Sequence, residues 1–152
     1  MAYTLEELAN DIRTTLRNDP SSSGPKSICE FVSKATLDPD FVAQHLTEED
    51  CKPRKVLYED PDLGFCICGH VYPGKAVGQP HDHGTSWAIY GQAVGSTDMT
   101  EWKIVKRGEG DAPHLVEPVT TYTMKPGDAR FYDVHVVHSP DRQGPVKLLR
   151  IE

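Results

Sequence analysis

The sequence contains no apolar run that approaches the roughly 18 residues needed by a membrane-spanning helix. Its first segment, MAYTLEELANDIRTTL, carries charged side chains throughout and has no apolar block of the kind found in secretory signals. We therefore expect a protein that does not associate with a membrane.

Basic residues are scarce as well. The chain has 16 Lys and Arg against 23 Asp and Glu, which gives a formal net charge of −7. Only the segments 52–55 (KPRK) and 106–108 (KRG) are locally basic. Because proteins that bind nucleic acid use clustered Lys and Arg to neutralise phosphates, this balance argues against a nucleic-acid partner.

Cysteine is limited to four residues, Cys29, Cys51, Cys66 and Cys68, and no C-x-x-C pair of the zinc-binding type occurs. Cys66 and Cys68 alternate within an apolar run, so we expect them to share one face of a strand. The simplest interpretation is that all four are reduced thiols that pack as small apolar side chains. This predicts a cytoplasmic protein.

The residues that are present divide the chain into two regions. A length of 152 residues suits a single domain over 1–152. Residues 1–50 have helical patterning, which starts with a capping box formed by Thr4 and Glu7. Further helices are predicted over 26–37 and 38–46, the last of which opens with Asp and Pro.

From residue 54 onward the pattern changes to short strands separated by turns rich in Gly and Pro. Seven such strands favour an antiparallel barrel or sandwich over 54–152. The predicted strands cover residues 55–59, 64–72, 86–95, 100–108, 114–124, 129–137 and 146–152.

Two histidines, His81 and His83, stand one residue apart just before a predicted strand. In extended chain, residues i and i+2 project to the same face, so both imidazoles can reach one point. Imidazole is a good ligand for Fe, Zn, Cu or Ni. A third imidazole would come from His138, 55 residues after His83, if the strand that it follows lies beside the strand after His83.

These residues resemble the two motifs of the cupin family. Gly74, the HDH triplet at 81–83 and Gly95 match the first motif, and the PGD at 126–128 followed by His138 matches the second. The resemblance covers roughly residues 54–152. It implies a mainly β fold, an antiparallel β-barrel or jelly roll, here with a short helical N-terminal region.

The acidic ligand usual in the first cupin motif is missing, because the position near Trp87 or Ala88 is not acidic. The chain is therefore similar to the cysteine-dioxygenase-like branch, in which three histidines hold the iron. Arg54, 27 residues before His81, resembles the arginine that clamps the substrate carboxylate in that branch.

Two departures from that branch concern the surroundings of the metal. The last strand carries KLLRIE at 147–152, where the family has a Ser-x-His-x-Tyr triad. His135 lies three residues before His138, either as an alternative ligand or as a proton carrier. The spacing of the motif favours His138 as the ligand, and leaves His135 as a candidate catalytic residue.

The resemblance implies a mononuclear non-haem Fe(II) dioxygenase that converts a small thiol acid, such as cysteine or 3-mercaptopropionate, to a sulfinate. The expected metal ligands are His81, His83 and His138, with Zn, Ni or Mn as other candidate ions, and the expected partners are a small anionic substrate and dioxygen. A non-oxidative Zn or Ni lyase or isomerase, and a metal- or ligand-binding cupin without turnover, remain as alternatives. A homodimer is left open.

Overall fold

Two antiparallel β-sheets enclose the interior of the computed structural model, which describes residues 3–21, 23–51, 54–84 and 86–152. In that part of the chain the strands are β1 (Lys55–Glu59), β2 (Cys66–Tyr72), β3 (Ala76–Val77), β4 (Ala88–Val94), β5 (Thr97–Lys106), β6 (Leu115–Met124), β7 (Ala129–Tyr132), β8 (Val137–Arg142) and β9 (Val146–Ile151). One sheet has the order β1-β2-β9-β4-β7 and the other β3-β8-β5-β6. The predicted mainly β jelly roll with a helical N-terminal region is confirmed.

The helices all precede the strands. They are α1 (Leu5–Asn18), α2 (Ser23–Ser27), α3 (Cys29–Leu37), α4 (Pro39–His45) and α5 (Glu48–Cys51). The predicted caps are present, since the Thr4 hydroxyl accepts a hydrogen bond from the Glu7 N–H at 3.0 Å and the Asp38 side chain accepts from the first turn of α4. α2 lies in a stretch predicted to break the helix, and the second predicted helix begins at Cys29 instead.

The helices cover the outer face of the five-stranded sheet. Ile67, Leu149 and Ile151 are fully buried there against apolar residues of α1 and α3. The approach is closest at Gly91, where a Cβ atom in place of the glycine hydrogen would lie 2.4 Å from Cγ1 of Val32. Successive strand residues point to opposite faces, so the neighbours of these residues face the interior between the sheets.

The inner face carries a different set of side chains. A second apolar cluster fills part of the interior with Ala88, Tyr90, Met99, Met124 and Tyr132. The rest of the interior is polar, and it contains the buried side chains of His70, His138 and Arg142. The interior therefore holds both a packed apolar core and a set of polar and ionisable side chains.

The prediction of one continuous strand over 129–137 is wrong. The structure ends β7 at Tyr132 and starts β8 at Val137, with a turn between them in which His135 has a positive φ of 63°. β8 then runs through 139–142, a segment that its Pro and Asp residues had marked as a turn. The Pro140 carbonyl accepts a hydrogen bond from the Gly78 N–H at 2.9 Å, which extends the pairing of β8 towards the segment after β3.

Within the described residues, no helix is both long enough and apolar enough to cross a membrane. Cys29, Cys66 and Cys68 are free thiols, of which Cys68 is buried. The side chain of Cys51 lies outside the described part of the structure.

Candidate metal centre

Three histidines lie close together, and one of them, His138, is buried in the barrel. The side-chain nitrogens of His81, His83 and His138 lie within 4.8 Å of one another, and the Nε2 atoms of His83 and His138 are 3.3 Å apart. The predicted grouping of these three residues is therefore present. His138 is completely buried, and its ring stacks on Tyr132 at a centroid distance of 4.4 Å.

Backbone pairing holds two of these residues together. The His81 N–H donates to the His138 carbonyl at 3.0 Å, and the His138 N–H donates to the His81 carbonyl at 2.9 Å. This two-bond bridge joins the segment before β4 to the beginning of β8. The bridge brings the His81 and His138 rings to a centroid distance of 4.7 Å.

Carbonyl groups orient the same two rings. His81 Nδ1 lies 2.8 Å from the Gln79 carbonyl oxygen, and His138 Nδ1 lies 3.1 Å from that of Val136. An Nδ1–H that donates to a carbonyl leaves the Nε2 lone pair available, which is the usual arrangement for a metal-bound histidine.

Two of the three donors have the spacing expected around a single divalent ion. Two imidazole nitrogens bound to one metal at about 2.1 Å lie roughly 3.0–3.4 Å apart, depending on the angle between them. The 3.3 Å between Nε2 of His83 and Nε2 of His138 falls in that interval. Three neutral nitrogens suit Fe, Zn or Ni equally well, so the geometry leaves the identity of the metal open.

Burial also prepares these rings to act as ligands. Desolvation is the main cause that lowers the pKa of His83, and it lowers the pKa of His138 to about 4. Positive charge on the neighbouring His81 would act in the same direction on both. Both imidazoles are therefore neutral near pH 7, which is the form that binds a metal.

A polar network surrounds His83. Its Nε2 lies 3.1 Å from the Tyr90 hydroxyl, and its Nδ1 lies 3.9 Å from a carboxylate oxygen of Glu152. Arg150 donates to Glu152 at 3.0 Å, and its guanidinium lies 5.9 Å from the centre of the Tyr90 ring. Although burial acts to raise the pKa of Glu152, Arg150 and Arg54 outweigh it and hold that pKa below its ordinary value.

Arg54 belongs to the outer part of this network. Its guanidinium donates to Glu152 at 3.0 Å, and its side chain is 48% exposed. It also lies 3.6 Å from the Cys68 sulfur. Its predicted role as a substrate clamp stays a prediction.

His135 is separate from the three-histidine group. Its side chain is 66% exposed, and its Nδ1 lies 3.9 Å from a carboxylate oxygen of Asp82. The His135 N–H donates to the Gly84 carbonyl at 3.2 Å, which ties the turn before β8 to the segment that carries His81 and His83. This places His135 beside the segment that carries His81 and His83, and outside the three-histidine group.

Four residues around the site were not predicted from the sequence, or were predicted only as core. Tyr90 has the apolar patterning of a core residue, and its hydroxyl contact with His83 has no local signal. Arg150 and Glu152 belong to the segment 147–152, which lacks the Ser-x-His-x-Tyr pattern, so no motif marked them as part of the site. Arg142 lies in the segment that resembled a turn.

No family model matches the sequence, and neither does any curated protein. Solved structures do share the fold. A conserved protein of unknown function from Streptococcus pyogenes is 13% identical with a TM-score of 0.50, over 72% of this chain and 80% of its own. KdgF from Halomonas sp. is 21% identical, with a TM-score of 0.48 over 64% of this chain and 75% of its own.

A cupin-2 domain protein from Shewanella frigidimarina is 14% identical, with a TM-score of 0.46 over 68% of this chain and 81% of its own. Similarity at these identities concerns the fold alone. The chain thus has a jelly roll with a group of three histidines that could hold a metal ion.

Proposed function

We propose that this protein is a mononuclear Fe(II) dioxygenase that oxidises a small thiol acid, such as cysteine or 3-mercaptopropionate, to the corresponding sulfinate. The thiol R–SH and one O₂ combine to give R–SO₂H, so both oxygen atoms enter the product and no further reductant is needed. The observation that carries the proposal is the close grouping of three histidine side chains beside a cavity that is lined by Arg142 and Arg150.

Three protein ligands on one face of the ion would leave other coordination positions for substrate and dioxygen. Neutral ligands keep the full +2 charge of the metal, which favours an anionic substrate such as a thiolate. The chemistry that Fe(II) supplies when bound is the activation of dioxygen.

The remaining steps fall to residues of the chain. Burial raises the pKa of Tyr90, with Arg150 acting in the opposite direction, so the phenol stays protonated near pH 7. In that form its hydroxyl donates a hydrogen bond towards a ligand held beside His83. Arg150 lies over the Tyr90 ring and Glu152 lies near His83, in the part of the chain where the related branch has its Ser-x-His-x-Tyr triad.

The test begins with metal analysis of protein purified without added metal. We expect close to one iron per chain. We then expect the iron-loaded protein to consume one O₂ for each molecule of 3-mercaptopropionate or cysteine that is converted. Mass spectrometry should show that the product has gained two oxygen atoms. The proposal fails if iron-loaded protein consumes no oxygen with either acid.

A non-oxidative lyase or isomerase that uses Zn or Ni is the second candidate. It is favoured by the Tyr90 hydroxyl, which lies 3.1 Å from His83 Nε2 and is positioned to exchange a proton with a bound substrate. Turnover of an acid substrate under strictly anaerobic conditions, with Zn or Ni as the native ion, would select this function over the dioxygenase.

A further inference from the structure

A cavity of about 180 Å³ adjoins the candidate metal centre on the side of His81. At roughly 30 Å³ for each water-sized unit, it holds a molecule of about six non-hydrogen atoms. Two of the residues that line it, Arg142 and Arg150, are cationic. The lining includes Tyr72, His81, Tyr90, Arg142, Leu148 and Arg150.

Arg142 has an unusual environment for a charged side chain. It is 6% exposed, and its Nε is buried without a hydrogen-bond partner among the described residues. Its guanidinium lies 5.0 Å from the centre of the Tyr72 ring, but no described carboxylate lies within ion-pair distance of it. A buried guanidinium without an anionic partner is costly, and an anion in the cavity would offset that cost.

Arg150 adds positive charge to the same cavity. It shares the Glu152 carboxylate with Arg54, so two guanidiniums surround this one carboxylate. The Nε of Arg150 is also buried and without a partner in the described part of the chain. The cavity is therefore electropositive, although the protein as a whole carries a net charge of −7.

We propose that Arg142, together with Arg150, binds the carboxylate of a small monocarboxylic acid in this cavity. A guanidinium holds a carboxylate through two parallel hydrogen bonds, a geometry that Lys cannot reproduce. The other end of a ligand of this size then points towards His81. That last orientation rests on the proposed function, whereas the carboxylate contact does not.

The geometry favours Arg142 over Arg54 for this contact. Arg54 is about half exposed, donates to Glu152 and lies outside the described lining of the cavity. Arg142 lies on β8 with His138, four residues later, so its side chain extends from the same face of the strand as a candidate ligand.

The experiment measures binding rather than turnover. Isothermal titration calorimetry under anaerobic conditions compares propionate, 3-mercaptopropionate and 2-mercaptoethanol on the metal-containing protein. In Arg142→Gln we expect both acids to bind about ten- to a hundred-fold more weakly, because a charged hydrogen-bonding partner is lost. The affinity for 2-mercaptoethanol and the metal content should stay unchanged.

Two further variants separate the arginines. Arg54→Gln should change propionate affinity by less than about threefold, and so should Arg107→Gln, a matched control at an exposed position. Wild-type affinity for propionate in Arg142→Gln would overturn the proposal. A loss confined to Arg54→Gln would overturn it as well and would assign the carboxylate to Arg54.

A measurement on the wild-type protein covers the case in which Arg142→Gln fails to fold. Propionate should raise the thermal midpoint, whereas propionamide, which has the same shape without the charge, should not; equal effects would contradict the proposal. Propionate binding that depends on Arg142, in a protein that consumes no oxygen, would retain the carboxylate site and refute only the dioxygenase. If the protein consumes oxygen but Arg142→Gln still binds propionate normally, the dioxygenase is retained and the carboxylate site is refuted.

Discussion

Arg142 lies four residues after His138 on β8, and both side chains face the interior between the two sheets. Because alternate residues of a strand share a face, one short segment supplies a candidate metal ligand and a buried cation. β8 pairs with β3 on one side and β5 on the other, so neither residue can turn outward without a register shift. β8 therefore holds the buried cation at a fixed distance along the strand from a candidate metal ligand.

Removing any one of the three histidines should strip the metal. We expect His81→Ala, His83→Ala and His138→Ala each to weaken metal affinity by more than about a hundredfold, since even the loss of an outer partner of a ligand costs ten- to a hundred-fold. Metal content after dialysis, measured by mass spectrometry, provides the readout. His114→Ala, at an exposed position, is the matched control and should retain its metal. Full metal content in His138→Ala would contradict the site.

His135 should affect the reaction without affecting metal content. Its ring lies outside the three-histidine group and is largely exposed, so His135→Ala should keep the metal. If His135 carries a proton, kcat should fall by about a hundredfold and the pH profile of kcat should change. Loss of metal in His135→Ala would instead make it a ligand, and an unchanged kcat and pH profile would remove it from the reaction.

Local signals in the sequence predicted the parts of this structure that local interactions determine. Thr4 and Asp38 cap helices through contacts within one turn, and their side chains do so in the structure. The grouping of His81 and His83 follows from the two-residue period of extended chain. The match of His138 required the longer spacing of a family motif.

The remaining features depend on contacts that no local pattern encodes. The SPDRQGP segment at 139–145 has the composition of a turn, yet its first half pairs with β3 and β5. Tertiary pairing thus overrides local preference here. For this reason the sequence did not predict that Arg142 lies on a strand. Arg150 faces Tyr90 only because β9 inserts between β2 and β4, a pairing between segments far apart in sequence.

Gly91 controls how closely the helices approach the sheet. A Cβ at this position would lie 2.4 Å from Val32 Cγ1 and 3.1 Å from Thr36 Cγ2. We therefore expect Gly91→Ala to lower the free energy of unfolding by about 1–3 kcal/mol, the usual cost of overpacking. Urea denaturation measures this, with Gly144→Ala as a control because no atom lies within 4 Å of a Cβ there.

Val32→Ala offers a second test of the same contact. By itself it should destabilise the protein, because it leaves a cavity in the core. Combined with Gly91→Ala, it should cost less than the two separate changes together, since the new methyl fills space that Val32 vacates. Strict additivity would indicate that the two residues do not meet.

Asp60 should make stability depend on pH, because it joins the helical region to the barrel. Its buried carboxylate accepts hydrogen bonds from Arg13 Nε of α1 at 2.9 Å, the Tyr58 hydroxyl at 2.7 Å and the Leu63 N–H at 2.7 Å. Although burial acts to raise the pKa of Asp60, these partners lower it to about 2. An unfolded chain would protonate this group near pH 3.9.

The sign of the effect follows from these two values. Between about pH 4 and 2 the unfolded chain binds the proton and the folded chain does not, so the contribution of Asp60 is complete above that interval and is lost as the pH falls through it. Asp60→Asn should therefore lower the free energy of unfolding at pH 7 and flatten its decline below pH 4, as measured by urea denaturation at several pH values. Asp62→Asn is the matched control, because its ion pair with Arg17 is exposed on both sides and contributes little. If Asp60→Asn and wild type lost stability in parallel on acidification, the acid sensitivity would originate elsewhere, and Arg13 and Asp60 would not be the pair that ties α1 to the barrel.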